Sequence, residues 1–125
     1  MSPQRRLTIL RLAFWAALLF AFVMAIMPRP PELPGAPSDK IQHISAFLVL
    51  GAMGFFAYPG SRPLSLGIRL SLFGALIEVV QAIPALGRDS DVVDWIADTL
   101  AAALVLLLLH WSRGRLIKPS HGERS

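Results

Sequence analysis

Four long apolar blocks, separated by short polar links, make up most of this chain. They cover about residues 7–27, 41–58, 66–83 and 91–111. At about 1.5 Å per residue, a helix of this length crosses most of a hydrocarbon core roughly 30 Å thick. The pattern therefore predicts an all-α, polytopic membrane protein: a single domain over residues 1–125, with four transmembrane helices in an antiparallel bundle.

The links carry signals that end and restart the helices. Residues 28–38 hold five of the ten prolines, and because proline disrupts a helix we predict a stiff, extended connector there. Asp39, with Gln42 three residues later, has the spacing of a capping box and predicts the start of the second helix. Residues 112–125 are polar and basic, which predicts a disordered tail.

The first apolar block has an alternative interpretation as a cleaved signal peptide. No small-x-small cleavage pattern follows it, so we expect it to be retained as a membrane helix.

The amino-acid composition limits the kinds of catalytic and binding site that the chain can form. The chain is 54% hydrophobic, has a mean hydropathy of +0.57 and contains no cysteine, which excludes disulfides, thiolate catalysis and cysteine-based metal sites. The net charge of +4 comes from basic residues beside apolar segments, without the aromatic interleaving of a nucleic-acid surface. Membrane lipids, and anionic ones in particular, are therefore the predicted partner, and no nucleic acid is expected.

The distribution of lysine and arginine predicts the orientation. If the chain crosses the membrane four times, the N-terminal head, the second link and the tail lie on the same side. Nine of the twelve lysine and arginine residues lie on or near that side, and the other three lie in the first and third links. This positive-inside bias predicts that both termini are cytoplasmic, in a bacterial inner membrane.

Ionisable residues inside the apolar blocks mark a candidate site. Glu78 and Asp98 each lie about one and a half turns inside a predicted helix, where insertion of a charge is costly, about 2.5–3.5 kcal/mol at the centre. Glu78 shares a helical face with Gly67, Ser71 and Gly74, so we expect it to point at a neighbouring helix. The predicted site residues all lie near the outer leaflet: Asp39, Lys40, His43, Glu78, Gln81, Arg88, Asp94 and Asp98.

Three short motifs between residues 38 and 105 add a family resemblance. They are Asp39-Lys40-x-x-His43-x-x-x-Phe47, then Glu78-x-x-Gln81, then Arg88 with Asp94-x-x-Ala97-Asp98-Thr99-Leu100. In order and spacing they resemble the signature blocks of the VanZ-like family of small bacterial integral membrane proteins. That family is named for a member linked to low-level resistance to the glycopeptide teicoplanin. The resemblance implies a role in the cell envelope and a link to antibiotic resistance, but no settled biochemical activity.

The chain departs from the family pattern at two positions. Asp98 stands where the family usually has Asn, and Ala101 where Gly usually follows. The first departure adds an ionisable group to the predicted site.

The leading functional hypothesis is recognition of an anionic envelope lipid or a lipid-linked cell-wall precursor at the outer leaflet. In this hypothesis Lys40, His43 and Arg88 contact phosphate. The acidic and amide side chains hold sugar, amine or peptide groups. Whether the lipid is also modified is left open by the sequence.

Two other hypotheses remain. In an enzyme, His43, Glu78 and Asp98 are the candidates for general acid–base catalysis, but no recognisable nucleophile motif accompanies them. In a non-catalytic structural or assembly subunit, which could form homo-oligomers, the polar cluster provides interhelical hydrogen bonds or a proton or ion path.

No cofactor and no metal are predicted. His43, Glu78, Asp94 and Asp98 offer suitable ligand atoms. However, only one histidine lies in these segments, and His-x-x-x-His spacing is absent.

Overall fold

A computed structural model of the protein describes residues 1–28, 39–88 and 90–117. The rest of the predicted proline-rich link and the tail from residue 118 onward lie outside this description. The helices are α1 (Pro3–Ile26), α2 (Asp39–Ala57), α3 (Pro63–Gln81) and α4 (Val92–Ile117), with a short 3-10 helix (Pro84–Leu86) before α4. All four α-helices are long and apolar enough to cross a membrane. The predicted all-α bundle of a multi-pass membrane protein is confirmed.

Helix α1 begins at Pro3, a turn earlier than its apolar block. The Oγ of Ser2 accepts a hydrogen bond from the backbone N of Arg5 at 3.2 Å and caps the helix. Proline is well suited to the first turn because its missing N–H would have no partner in the helix. Local capping chemistry, rather than the hydrophobic pattern, sets this boundary.

Helix α4 extends to Ile117, so the predicted disordered tail is wrong for residues 112–117. The guanidinium of Arg113 lies 4.4 Å from the ring centre of Phe55 in α2, and that of Arg115 lies 4.5 Å from the ring of Trp111. These cation–π contacts stabilise a last turn that its polarity alone did not predict.

The turn between α3 and α4 depends on a glycine. Gly87 follows the 3-10 helix with φ of 62°, a left-handed conformation that glycine adopts without a steric penalty. This turn sends the chain back antiparallel to α3.

Close contact between α2 and α4 forms the centre of the bundle. Ala102 is fully buried there, and a Cβ atom added to Gly51 would lie 2.5 Å from Cγ1 of Val105 and 3.5 Å from the carbonyl oxygen of Ala102. Small residues are typical of helix contacts in membranes because they let the backbones approach. Helices α2 and α4 can pack this closely because residue 51 is a glycine and has no side chain.

The predicted inner face of α3 is confirmed. The hydroxyls of Ser71 and Thr99 are 2.9 Å apart, which joins α3 to α4. Gly74 packs against the ring of Phe47, and Glu78 is only 8% exposed. Helical periodicity therefore placed Glu78 correctly toward its neighbours.

Arg11 connects α1 to α2 at the end of the bundle where the chain begins. Its Nε donates to the carbonyl oxygen of Ala57 at 2.9 Å, and its guanidinium lies 4.8 Å from the ring centre of Tyr58. The indole Nε1 of Trp15 donates to the Tyr58 hydroxyl at 2.7 Å. These contacts satisfy one of the carbonyls left without a partner at the end of α2.

We predict that Gly51→Ala destabilises the bundle by about 1–3 kcal/mol, because the added methyl overpacks the contact with Val105. Reversible unfolding in mixed detergent measures the change. The double variant Gly51→Ala/Val105→Ala should recover part of the loss. The control is Gly114→Ala, where nothing lies within 4 Å of the new methyl group; a loss of stability in this control equal to that of Gly51→Ala would contradict the close-packing argument.

Candidate functional site

Buried polar side chains gather at one end of the bundle. This site end is where α1 and α3 finish and where α2 and α4 begin. His43 is 9% exposed, Glu78 8%, Gln81 1% and Asp98 0%. They come from three different helices, so tertiary packing assembles the cluster.

His43, Glu78 and Asp98 form the centre of the site and are called the acid–histidine cluster below. Each residue offers one atom that could bind a metal, an imidazole nitrogen or a carboxylate oxygen, and these three atoms lie within 4.8 Å of one another. Nδ1 of His43 and Oδ2 of Asp98 are 3.5 Å apart. The antiparallel helices bring the three positions to the same depth, since His43 lies near the start of α2, Asp98 near the start of α4 and Glu78 near the end of α3.

Glu78 also fixes the start of α4. Its Oε2 accepts hydrogen bonds from the backbone N of Asp91 at 2.8 Å and from the Ser90 hydroxyl at 3.2 Å. Asp91 in turn caps α4, because its Oδ1 accepts from the backbone N of Val93 at 2.9 Å. The other oxygen of Glu78, Oε1, is buried and accepts no hydrogen bond from the residues that the structure describes.

Gln81 and Arg88 share one acceptor on α1. Nε2 of Gln81 and Nε of Arg88 each donate to the carbonyl oxygen of Ala25 at 2.9 Å. This carbonyl belongs to the last turn of α1, where backbone oxygens lack helical partners and cations are favoured. Both side chains therefore attach α1 to the α3–α4 link.

Lys40 and Asp94 lie at the edge of the site. Nζ of Lys40 is 3.7 Å from Oδ1 of Asp94, and their side chains are 49% and 14% exposed. This ion pair joins the start of α2 to the start of α4. Asp39 is the first residue of α2, and its side chain lies outside the described part of the chain.

An elongated cavity of about 510 Å³, called the α1–α2 groove below, runs between these two helices. Most of its lining is apolar, including Ala17 and Ala21 on α1 and Ala46 on α2. His43 and Arg88 line its site end. Because His43 belongs to both, the groove leads directly to the acid–histidine cluster.

Sequence reasoning missed the contribution of α1 to the site. Ala17, Ala21 and Ala25 recur every fourth residue and all line the groove, a stripe of small residues that could have been noticed. The role of the Ala25 carbonyl as an acceptor could not be predicted, because every residue has a backbone carbonyl and the sequence does not distinguish one from another. Sequence reasoning also missed Ser90, whose hydroxyl hydrogen-bonds to Glu78.

Two hydroxyls near the site already have side-chain partners: that of Thr99 pairs with Ser71 and that of Ser90 with Glu78. Ser45 lines the groove. Two carboxylates and an imidazole can bind a cation or exchange a proton.

Comparison with known proteins adds no identity to this geometry. No family model, curated protein or solved structure matches the chain. The resemblance to the VanZ-like family stays a prediction based on its three motifs.

We predict that Glu78→Ala lowers the free energy of unfolding by about 1.5–3 kcal/mol, the usual size of a lost hydrogen bond to a charged group. Because Glu78 accepts from the backbone N of Asp91, hydrogen exchange should become faster at the start of α4. Glu78→Gln retains an acceptor and should be affected less. Unchanged exchange at the Asp91 amide in Glu78→Ala would contradict the anchoring role.

Proposed function

We propose that this protein is a VanZ-like protein of a bacterial cytoplasmic membrane that recognises an anionic envelope lipid or lipid-linked cell-wall precursor. The acyl chain lies in the α1–α2 groove, and the phosphate-containing head group lies at the site end. The observation that carries the proposal is the groove itself, whose lining is mostly apolar and includes His43 and Arg88 at the site end.

The dimensions and lining of the groove suit a lipid chain. Its volume of about 510 Å³ is within the range of roughly 300–1,000 Å³ that is common for small-molecule sites. Alanines at positions 17 and 21 leave room along α1, whereas larger apolar side chains such as Phe20 and Met24 also line the groove. A hydrocarbon chain can therefore pack against apolar atoms along the groove.

Arg88 supports recognition of a phosphate at the mouth of the groove. The bond from its Nε to Ala25 holds the guanidinium at this position. Guanidinium groups bind phosphate with paired hydrogen bonds and are less strongly hydrated than ammonium groups. Lys40, 49% exposed at the edge of the site, adds a second positive charge for an anionic head group.

Charge distribution and motifs supply the cellular part of the proposal. The excess of lysine and arginine near the termini favours cytoplasmic termini and so supports an outer-leaflet position for the site end. Lipid-linked cell-wall precursors are processed at that leaflet, and the VanZ-like motifs support the same substrate class and a glycopeptide-resistance-like role.

A structural or assembly function is the second candidate, and a specific observation favours it. The hydrogen bonds described above for Glu78, Gln81 and Arg88 join helix ends to one another. Interhelical hydrogen bonds in membranes contribute only about 0.6 kcal/mol each on average. This function predicts that changes at the site alter stability or assembly and leave lipid occupancy unchanged.

We predict that Ala17→Phe reduces lipid retained by the purified protein by at least threefold, because the ring fills the α1–α2 groove. Native mass spectrometry of protein released from membranes measures the retained lipid. Ala16→Phe is the matched control, since Ala16 is exposed and does not line the groove. Equal lipid retention by both variants would exclude the groove as the acyl-chain site.

Arg88→Gln should abolish any preference for phosphatidylglycerol over phosphatidylcholine in nanodiscs of mixed composition, because it removes the cation at the head-group position. Arg88→Lys should keep part of the preference, and Arg62→Gln, at the opposite end of the bundle, should keep all of it. In cells that depend on the protein, Arg88→Gln should also change sensitivity to envelope-directed drugs. An unaltered lipid preference together with unaltered drug sensitivity would contradict the head-group role.

A further inference from the structure

We propose that the acid–histidine cluster is a binding site for one divalent cation of the Zn²⁺ or Mn²⁺ class. The site is formed by His43 of α2, Glu78 of α3 and Asp98 of α4, which bring ligand atoms within 4.8 Å of one another inside the bundle. It requires no lipid in the groove, so it stands apart from the proposed function.

The distances and donor types suit such an ion. The 3.5 Å between Nδ1 of His43 and Oδ2 of Asp98 is close to the separation of about 3.4 Å between two ligands bound tetrahedrally to zinc. One imidazole nitrogen with two carboxylates is a mixed set: imidazole favours zinc and other transition ions, and carboxylates favour manganese and harder ions.

The charges of the ligand side chains favour a bound cation in the cluster. Metal ligands bind as ionised carboxylates and neutral imidazoles, so in the bound state the three side chains would carry a charge of about −2, which a divalent ion would cancel. Glu78 contributes an independent observation. It is 92% buried, and its Oε1 accepts no hydrogen bond from the described residues, so an acceptor is available beside the other ligands.

Glu78 is also held in place before any ion binds. The backbone N of Asp91 donates to its Oε2, and the Ser90 hydroxyl lies 3.2 Å from Oε2 and 2.9 Å from the Glu78 carbonyl oxygen. Hydrogen bonds from neighbouring groups that do not themselves bind the metal orient the ligands and increase metal affinity in known sites. Because His43 also lines the α1–α2 groove, water or a head-group oxygen can complete the coordination from that side.

The test uses the full-length protein in detergent and in nanodiscs, with the affinity tag removed and bound metal stripped by a chelator. Zn²⁺ and Mn²⁺ are titrated separately, with calorimetry for binding and elemental analysis for the ratio of metal to protein. We expect saturable binding of one ion per chain and a melting temperature that rises with ion concentration. Asp98→Asn and His43→Gln should each weaken binding at least tenfold.

A matched control separates this site from adventitious binding. His110→Gln changes an exposed histidine far along α4, outside the cluster. It should bind the ion as the unaltered protein does. Circular dichroism and gel filtration show which variants fold. If Asp98→Asn fails to fold, the ion affinity of His43→Gln tests the proposal.

Absence of saturable binding by the unaltered protein, or binding unaffected by both His43→Gln and Asp98→Asn, would overturn the proposal and leave an internal histidine–aspartate pair. Ala17→Phe separates this proposal from the lipid proposal. It should remove lipid from the groove while the affinity for Zn²⁺ is retained.

Discussion

Glu78 of α3 accepts hydrogen bonds from Ser90 and from the backbone of Asp91, the residues that open α4. Around the bundle there is hydrocarbon, which offers no hydrogen-bond partner, so such a polar group must be satisfied inside the protein. These bonds fix the start of α4 against the end of α3. In this position the second turn of α4 brings Asp98 to His43, and the other polar contacts of the site follow from this alignment.

The features that depend on periodicity could be predicted from the sequence. Apolar blocks of suitable length predict membrane helices because the bilayer sets their length. Ser71, Gly74 and Glu78 follow a 3.6-residue repeat, so they had to share a face, and that face packs on α4 and α2. Short links force antiparallel neighbours, which is why Glu78 and Asp98 could be expected at the same depth.

The individual partners could not be predicted, for two physical reasons. Gln81 and Arg88 donate to a backbone carbonyl on α1, and sequence carries no mark for one carbonyl among many. Lys40 reaches Asp94 because of the relative rotation of α2 and α4, which depends on close packing at Gly51. The extension of α4 past Trp111 likewise depends on a ring of α2 that lies beneath Arg113.

The hydrogen bonds that join helix α1 to the other helices lie in its first half and in its last turn. Arg11 joins its first half to the end of α2, and the carbonyl of Ala25 joins its last turn to the α3–α4 link. It is the least buried of the four helices. Outward bending of its middle would therefore break none of these terminal bonds. It would, however, separate the rings of Phe14 and Phe22 from Tyr58 and Phe73, so the resistance of α1 to bending comes from apolar packing alone.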